Sequence, residues 1–579
     1  MILQQLCSYY DRQKSCPDSI LPQTGFSREK IHAEVVLNNY GDMVAFNDLR
    51  IQTKKGMIPS EMIVPQGEKR SGSKAYEKPH FLWDTTAFVF GADLNNDKNT
   101  PLKWDAFKRL HKKVMKQHPE SQLKALCHFL EKWTPSDSIN LPNWSELAGG
   151  KVVFRLDGEL EYFQDKEDLR RIWLELYDQT GKTITGFCLI SGEKTSIAML
   201  HPDIKGVDYA QPKGASIVSF NADAYESYGK IQNYNAPISK MKAFQYTTAL
   251  NHLLRKGSSN RIRIGDSTTV FWTERDSPVE DFFGLILDPH DSLGDDQELA
   301  IFLESVREGK FPQDFDPDIR FYILGLSPNA ARLSVRFWNA STVKDISEKL
   351  GQHFRDLLMV RAFDSDPQYP GMWHLLRETT NRKSKDGPPP LLAGAVMQSI
   401  LKGTPYPQAL LSAVVGRIRA EQSARDNNGR PVLNVNYMRA AIIKAVLIRK
   451  KRILDQGMEV AVSLDKENRN VAYLLGRLFA VLEKAQQDAI PGANATIKDR
   501  FYGSASATPR IVFPQLLRLA QHHIEKSEYG RTRDRQIEEI LGHIKEFPAH
   551  MALDQQGMFA IGYYHQRQDF YTKKENPQA

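Results

Sequence analysis

The sequence predicts an α+β protein: a mixed α/β N-terminal body followed by an all-α C-terminal helical bundle. Through residues 1–380, short strand-like runs alternate with helices and with turns rich in Gly, Pro, Asn and Ser. From residue 391 to about 567, nearly every segment instead carries apolar side chains at helical spacing. A Pro-rich break, SKDGPPPL at 384–391, separates the two textures and predicts where the bundle begins.

The 579 residues are too many for one hydrophobic core, so several domains are expected. We predict an N-terminal α+β domain at 1–260, a second α+β segment at 261–385 and the helical bundle at 391–579. Within the bundle, Met458 follows a turn at Gly457 and opens a self-contained set of amphipathic helices.

Individual strands are predicted where apolar runs are bounded by polar or turn residues. Three such runs are Ala33–Leu37, Lys151–Leu156 and Ile217–Phe220. The stretch 320–338, RFYILGLSPNAARLSVRFW, predicts two strands around a turn at Ser327–Asn329.

Four stretches of the C-terminal part have the spacing of amphipathic helices. They are 437–450, 471–489, 514–526 and 535–544.

Composition excludes several classes of protein. Lys and Arg exceed Asp and Glu by 77 to 70, whereas a protein that coats nucleic acid alone would usually be more basic. The mild excess suits a subunit with local basic patches that binds phosphates together with partner subunits. The four cysteines, Cys7, Cys16, Cys127 and Cys188, form no C-x-x-C pair, so neither a zinc site nor a disulfide framework is expected. No segment reads as a signal peptide or a membrane span, and we expect a cytoplasmic protein.

The sequence contains none of the common catalytic or nucleotide-binding motifs and no compact set of acidic residues suited to two metal ions. The adjacent pair His522 and His523 cannot face one metal from a helix, because paired helical ligands need a spacing of four. We therefore expect neither an enzyme nor a cofactor, although a missing motif does not exclude an unseen active site.

A basic helix is predicted at 101–118. Lys108, Lys112 and Lys116 form a stripe, with Arg109 and Lys113 beside it. The apolar residues Trp104, Phe107, Leu110 and Val114 form the opposite face. The stripe is either the solvated face of an amphipathic helix or a contact to a nucleic-acid backbone.

Two further basic clusters carry similar alternatives. The Gly/Ser-rich stretch 69–74 places Lys69, Arg70, Gly72 and Lys74 on a loop, which suits either a DNA contact or a plain surface loop. The helix at 438–452 carries six bases and no acid, among them Arg439, Lys444 and the run Arg449–Arg452. Those bases suit a nucleic acid, a partner or the helix C-terminal dipole.

Several stretches resemble the large subunit of the type I-C CRISPR Cascade surveillance complex. They follow the family's order along essentially the whole chain. They are MILQQLCSYYDR (1–12), KPHFLWDTTAFVFG (78–91), GASIVSFNADAYESYGKIQNYNAPIS (214–239), AFQYTTALNHLL (243–254), FYILGLSPNAARLSVRFW (321–338), VAYLLGRLFAVLEKAQ (471–486), DRFYGSASATPRIVFPQLL (499–517) and FAIGYYHQRQ (559–568). The sequence around 69–84 departs from the family's pattern. The resemblance therefore indicates where that loop lies more firmly than which of its residues make contacts.

The resemblance implies a non-catalytic subunit that recognises a short PAM in double-stranded target DNA and helps to open the duplex for the guide. The implied partners are crRNA, the handle-binding, backbone and small subunits of the complex, and a recruited Cas helicase–nuclease. The C-terminal helices resemble the small subunits, and in this family that region is thought also to be made separately from an internal start. Met458 is our candidate for that start, with Met438 as the less favoured one.

Within this interpretation the loop 221–235 is the second candidate for DNA contact. Its Asn221, Asn233 and Asn235 could read base edges, Lys230 could hold a phosphate, and its tyrosines could stack on bases. The alternative is a polar turn whose asparagines bond their own backbone.

Two sites are predicted in the bundle. Arg469, Arg477 and Lys484 lie near whole numbers of turns apart, which predicts a stripe along single-stranded DNA or the guide–target strand. The run 563–567 (YYHQR) could contact displaced DNA or another subunit, or could be the packed last turns of the bundle.

Two other function classes stay open at this stage. One is a nuclease or helicase accessory enzyme with an unseen active site, and the other is a purely architectural scaffold. The localised basic stripes argue against the scaffold.

Overall fold

The computed structural model describes residues 1–16, 21–53, 56–68, 70, 74–94, 97–179, 184–264, 267–277, 279–280, 283, 304–305, 316–381, 387–426, 429 and 431–571. The chain forms two compact units. The N-terminal unit comprises Tyr10–Pro202 and Phe220–Ala249, and the C-terminal unit comprises Met1–Tyr9, Asp203–Ser219 and Leu250–Ala579. Within the described ranges, no helix combines the length and the hydropathy needed to cross a membrane.

The strands of the N-terminal unit are short. They are β1 (Phe26–Ile31), β2 (Ala33–Leu37), β3 (Met43–Asp48), β4 (Ile51–Thr53), β5 (Gly56–Ile58), β6 (Ser60–Pro65), β7 (Trp83–Thr85), β8 (Lys151–Leu156), β9 (Thr185–Phe187) and β10 (Lys194–Ser196). The main sheet has the order β3-β2-β8-β7, with β2 and β8 parallel and the outer pairs antiparallel. Every residue of β2 is buried, as expected for a central strand. The predicted strands Ala33–Leu37 and Lys151–Leu156 are confirmed.

Several helices begin in the first 250 residues, and those between residues 86 and 179 pack around this sheet. The helices are α1 (Ile2–Lys14), α2 (Thr86–Val89), α3 (Thr100–Gln117), α4 (Ser121–Lys132), α5 (Trp144–Leu147), α6 (Glu167–Gln179) and α7 (Lys240–Leu253). Phe107 of α3 and Phe129 of α4 share one hydrophobic core with Phe154 of β8. This packing buries the apolar face of α3 and leaves its basic face towards solvent.

The C-terminal unit contains a four-stranded antiparallel sheet in the order of the chain. Its strands are β11 (Arg261–Ile264), β12 (Ser267–Thr273), β13 (Arg320–Asn329) and β14 (Arg332–Thr342). The two strands predicted for 320–338 are confirmed, but the turn predicted at Ser327–Asn329 lies later in the chain, because Ser327 and Pro328 still pair with Ser334 and Leu333 of β14. The chain turns after Asn329 instead, where Ala330 takes φ +52°.

The predicted strand Ile217–Phe220 is also wrong. Residues 217–220 have no strand structure, and only the preceding Ser216 forms an isolated parallel bridge, with Arg332. The backbone N–H of Leu333 donates to the Ser216 carbonyl at 2.9 Å. The apolar run therefore meets the sheet at one point and does not extend it.

The remaining helices follow β14. They are α8 (Val343–Leu357), α9 (Met372–Arg377), α10 (Pro390–Lys402), α11 (Gln408–Ala420), α12 (Tyr437–Leu454), α13 (Val471–Ala489), α14 (Ile497–Ala507), α15 (Pro509–Lys526), α16 (Gly530–Leu541) and α17 (Leu553–Tyr571). Side-chain caps begin several of them: Thr342 accepts from the Asp345 N–H, Asn436 accepts from the Arg439 N–H, and Asn470 accepts from the N–H groups of Ala472 and Tyr473. The α+β fold class with a helical C-terminal part is confirmed.

The two compact units do not follow the predicted domain boundaries. Residues 203–219 belong to the C-terminal unit, and the division near residue 250 falls inside α7. Residues 384–386 of the predicted break at 384–391 lie outside the described residues, and the sheet and the helices on both sides of the break share one hydrophobic core. Hydrogen bonds follow the same pattern, since Asn339 of β14 donates to the Leu401 carbonyl of α10 at 3.2 Å.

Helices α13 and α17 pack unusually closely along their length. A Cβ atom on Gly476 would overlap the Phe559 carbonyl oxygen, and one on Gly562 would overlap the Tyr473 carbonyl oxygen. Glycine at both positions lets the two backbones approach. Around this seam, Phe479, Tyr502, Phe559 and Tyr563 form a cluster of mostly edge-to-face aromatic rings.

Candidate nucleic-acid interface

The loop 221–235 in the N-terminal unit contains a tight turn, Ser227–Lys230, which we call the Tyr228 turn. The Lys230 N–H donates to the Ser227 carbonyl at 3.0 Å, and the central residues Tyr228 and Gly229 have φ of +53° and +66°. Two left-handed central residues define a type I′ turn. For tyrosine this conformation costs about 1 kcal/mol, yet its side chain lies in solvent, with 97% of its surface exposed.

Asn235 fixes the shape of this turn. Its side-chain Oδ1 accepts from the backbone N–H of Ser227 at 3.0 Å and from the Ser227 hydroxyl at 3.3 Å. Its Nδ2 donates to the carbonyls of Lys230 at 2.8 Å and Gln232 at 2.9 Å. The whole amide is engaged within the loop, so the alternative of a turn that bonds its own backbone describes Asn235. The prediction that Asn235 reads base edges loses its geometric support.

Asn233 does not face solvent either. Only 2% of its surface is exposed, and its backbone N–H donates to the Met199 carbonyl at 3.3 Å. Its side-chain Oδ1 is buried and has no hydrogen-bond partner in the described part of the chain. A side chain buried in this way cannot reach a base edge, so Asn233 is withdrawn as a DNA contact.

Two predicted residues of this loop remain accessible. Asn221 and Lys230 are both exposed, and neither side chain makes an ion pair or hydrogen bond in the described part of the chain. Tyr225, on the short 3-10 helix Asp223–Tyr225, is 43% exposed. The loop therefore presents one amide, one cation and two aromatic rings to solvent.

The basic loop is only partly described. Lys69 and Gly72 lie outside the described residues. Arg70 is held within the protein: its Nη2 donates to Asp84 Oδ2 at 2.5 Å, its Nε donates to the Lys78 carbonyl at 2.8 Å, and its guanidinium stacks on Phe88. Two of its three guanidinium nitrogens already donate within the chain, so Arg70 anchors the loop. The predicted DNA contact loses its geometric support at this residue.

Lys74 is exposed and immediately precedes a 3-10 helix, Ala75–Glu77, that packs against α3. The fold thus brings the end of the basic loop next to the basic helix. This is the one juxtaposition of predicted sites that the described contacts establish.

The anchor of this loop is a buried carboxylate, Asp84, which sequence reasoning missed. Besides Arg70, it accepts from the backbone N–H groups of His80 at 2.8 Å and Thr85 at 2.7 Å. The preceding Leu82 is fully buried with φ +63°, and its N–H donates to His111 Nε2 at 3.0 Å. Burial lowers the pKa of His111 to about 4, which keeps the ring neutral and able to accept this hydrogen bond. A single Asp inside an apolar segment, HFLWDTTAF, was the available signal.

The predicted basic stripe of α3 lies on the solvent side, but its charges are partly used. Lys112 pairs with Glu131 at 2.9 Å, Arg109 pairs with Asp105 at 3.3 Å, and Lys108 Nζ lies 3.6 Å from the centre of the Trp104 ring. The two remaining lysines, Lys113 and Lys116, are exposed and have no ion-pair partner among the described residues. They are the stripe's available phosphate ligands.

The stripe predicted in the C-terminal helices is wrong. Arg477 is 3% exposed and donates from Nε to Gln566 Oε1 at 3.1 Å. Arg469 precedes α13 and pairs with Glu467 at 2.9 Å, and Lys484 pairs with Asp488 at 2.8 Å. Helix α13 is packed on several sides, so helical spacing alone did not put these bases on a solvent face.

The bases of α12 mostly bind other residues of the same chain, a role that the sequence did not indicate. Arg439 has no exposed surface and bridges Glu378 at 2.7 Å and Glu421 at 2.6 Å. Arg449 pairs with the buried Asp356 at 2.7 Å, and Lys444 donates to the Asp356 carbonyl at 3.0 Å. Burial lowers the pKa of Lys444 to about 8. Arg449 and Lys444 thus hold α12 against the end of α8, while Arg439 connects it to the residues that follow α9 and α11.

The run 563–567 belongs to the packed interior, as its alternative interpretation held. Tyr563 donates to Glu483 at 2.7 Å, and Arg567 pairs with the same carboxylate at 2.8 Å. His565 lies within hydrogen-bond distance of the Tyr473 hydroxyl, at 3.0 Å. None of the five side chains is exposed.

The described residues contain no group of His, Cys, Asp or Glu side chains that could hold a metal ion. Within the same part of the structure, Cys7, Cys16, Cys127 and Cys188 form no disulfide with one another. His522 is exposed and His523 is half-buried on α15.

Comparison with known proteins defines the class. A family model described as CRISPR-associated protein (Cas_Csd1) matches residues 6–571, nearly the whole chain. The chain therefore belongs to the Cas_Csd1 family of CRISPR-associated proteins, and the family resemblance seen in the sequence is confirmed. No curated protein matches the chain.

Proposed function

We propose that this chain is the non-catalytic large subunit of a type I-C CRISPR surveillance complex and that it recognises the PAM in double-stranded DNA. Its partners in this proposal are crRNA, the handle-binding, backbone and small subunits, and a helicase–nuclease recruited after the duplex has opened. The family match supports a CRISPR role. The assignment as large subunit and the recognition of the PAM are what we propose.

One observation supports the N-terminal unit as the DNA-binding part. This unit presents exposed lysines that have no ion-pair partner among the described residues, and the backbone next to them is held by buried or fully bonded side chains. Lys74 lies at the end of a loop anchored by Asp84, while Lys230 lies in a turn closed by Asn235. Lys113 and Lys116 add two cations on α3, against which the helix after Lys74 packs. Fixed cations of this kind contact phosphates, while a nearby amide such as Asn221 can read a base edge.

Gel-shift titration of the assembled complex tests this proposal. Complexes with and without this chain are compared on guide-matched duplexes that carry or lack the PAM. We expect PAM-dependent binding only when the chain is present. Equal binding without the chain would assign the function elsewhere, and cleavage of DNA by the purified chain with Mg²⁺ would favour an enzyme.

The lysines provide a second arm of the same experiment. Replacing Lys113 and Lys116 by Ala should weaken binding on every target and lower the salt slope by roughly one unit per lost contact. The matched control is Lys112→Ala, since Lys112 already pairs with Glu131 at 2.9 Å. A double variant that behaves like this control would remove α3 from the interface.

A further inference from the structure

Tyr228 combines two features that seldom occur together. Its side chain has 97% of its surface exposed, and its backbone has φ +53° in a turn position that favours Asn, Asp or Gly. Packing within the chain does not repay the unfavourable backbone, because almost none of the ring is buried. Because no packing within the chain offsets the strained backbone, the geometry suggests that the exposed ring contacts another molecule.

The turn is preorganised to hold this ring in place. The Asn235 amide ties together Ser227, Lys230 and Gln232 through four hydrogen bonds of 2.8–3.3 Å. Gln232 also has a left-handed backbone, with φ +51°, and its N–H donates to Glu226 Oε1 at 3.2 Å. A ring carried on such a turn loses little freedom when it binds a ligand.

The surroundings of the ring indicate the chemistry of that ligand. Lys230 follows within the turn and is exposed, and the 43% exposed ring of Tyr225 precedes it. The two nearby acids are Asp223, which is exposed, and Glu226, which is half-buried and accepts the Gln232 hydrogen bond. Aromatic rings alternating with a cation form the usual surface for single-stranded nucleic acid, in which bases stack and phosphates pair.

We propose that Tyr228 is a stacking platform for an unpaired base of single-stranded DNA. This inference rests on the proposed function, which supplies opened DNA, and it identifies one strand of that DNA as the ligand of the Tyr228 turn. Lys230 neutralises the phosphate next to the stacked base.

The decisive variant is Tyr228→Gly. Glycine adopts φ +53° without strain, so the melting temperature of the chain should stay the same or rise. Binding of the assembled complex to a guide-matched, opened target should weaken between about fivefold and a hundredfold, as when one stacking ring is removed. Tyr228→Phe should bind like the wild type, because stacking does not need the hydroxyl.

Photocrosslinking locates the contact directly. Targets carry a single 5-iododeoxyuridine at successive positions of either strand, and the crosslinked peptides of the whole complex are mapped by mass spectrometry. We expect a crosslink at Tyr228 from one position of a guide-matched target and none from an unmatched duplex. The control residue is Tyr40, which is 75% exposed in the same unit without a left-handed backbone.

Two results would overturn the inference. One is wild-type binding by Tyr228→Gly together with no crosslink at Tyr228. The other is loss of this chain from the assembled complex in Tyr228→Gly without any crosslink, which would make the ring a protein contact. A complex that binds opened DNA through Tyr228 but ignores the PAM would refute the proposed function and leave the stacking inference standing.

Discussion

The buried carboxylate of Asp84 offers the sharpest test of how the N-terminal unit holds its basic loop. Asp84 has no exposed surface and accepts hydrogen bonds from the Arg70 guanidinium at 2.5 Å and from two backbone N–H groups. Asp84→Asn keeps the shape of the side chain and removes the charge that pairs with Arg70. We expect the variant to fold less stably and to position Lys74 less well.

The magnitude follows from the burial of the two partners. Breaking a buried ion pair from one side costs about 3–5 kcal/mol, because the remaining charge is left uncompensated. The Arg70 side chain is still 22% exposed and can recover some hydration, which favours the lower end, about 3 kcal/mol. The pair of Asp42 and Lys132 is exposed to solvent, so its loss should cost much less than the loss of the buried pair.

The assay is a double-mutant cycle on the full chain. Unfolding by denaturant is followed for Asp84→Asn, Arg70→Ala and the double variant, with Asp42→Asn as the matched control. We expect the two single losses to be strongly non-additive, since each removes the same interaction. The complex carrying Asp84→Asn should also bind PAM-containing duplex more weakly. Additive losses, or a loss for Asp84→Asn no larger than that of the control, would refute the anchor.

Three other predictions concern stability. Gly476→Ala should lower the free energy of unfolding by about 3 kcal/mol, because the new methyl group overlaps the backbone of α17. The control Gly416→Ala lies in an open helical position and should raise the free energy of unfolding by up to about 1 kcal/mol. Equal effects of the two variants in denaturant melts would contradict the close packing of α13 and α17. Burial lowers the pKa of His111 to about 4, so the unfolded chain binds more protons than the folded chain below about pH 6.5. Through this residue, the free energy of unfolding should fall by about 3 kcal/mol as the pH is lowered from 6.5 to 4. In denaturant melts across this range, the fall should be shallower for His111→Gln, and an unchanged slope would reject the role of His111. The fragment that starts at Met458 keeps the aromatic cluster between α13, α14 and α17, so it should unfold cooperatively when followed by circular dichroism. Its melting temperature should be lower than that of the full chain, because α17 loses its contacts with α12. A non-cooperative fragment, or no species of that mass in natively expressed complexes, would count against a separate small subunit.

Local patterns predicted the elements well, because the information was local. The apolar run of Ala33–Leu37 and the helical spacing of 471–489 each describe how one segment meets its neighbours, and both elements were confirmed. The family assignment was likewise carried by ordered stretches of sequence. The position of the turn after β13 depended on how far the strand pairing extends, and sequence did not show that.

Charged residues were harder to place, because their partners are distant in sequence. The basic run of α12 looked like a surface for nucleic acid, yet Arg439 meets Glu378, and Arg449 meets Asp356, which lies 93 residues away. The opposite case is the asparagine loop. Asn221 and Asn235 look alike in sequence, but only the closed turn shows that the Asn235 amide is fully used.

A selection of DNA targets by the assembled complex tests whether this chain reads the PAM. Guide-matched duplexes with a randomised flank on one side of the target are bound by complexes with and without this chain, and the bound fraction is sequenced. We expect one short flanking sequence to be enriched only when the chain is present, with weaker enrichment for Asn221→Ala than for the wild type. Enrichment of the same flank without the chain, or no enrichment with it, would contradict the claim that this chain reads the PAM.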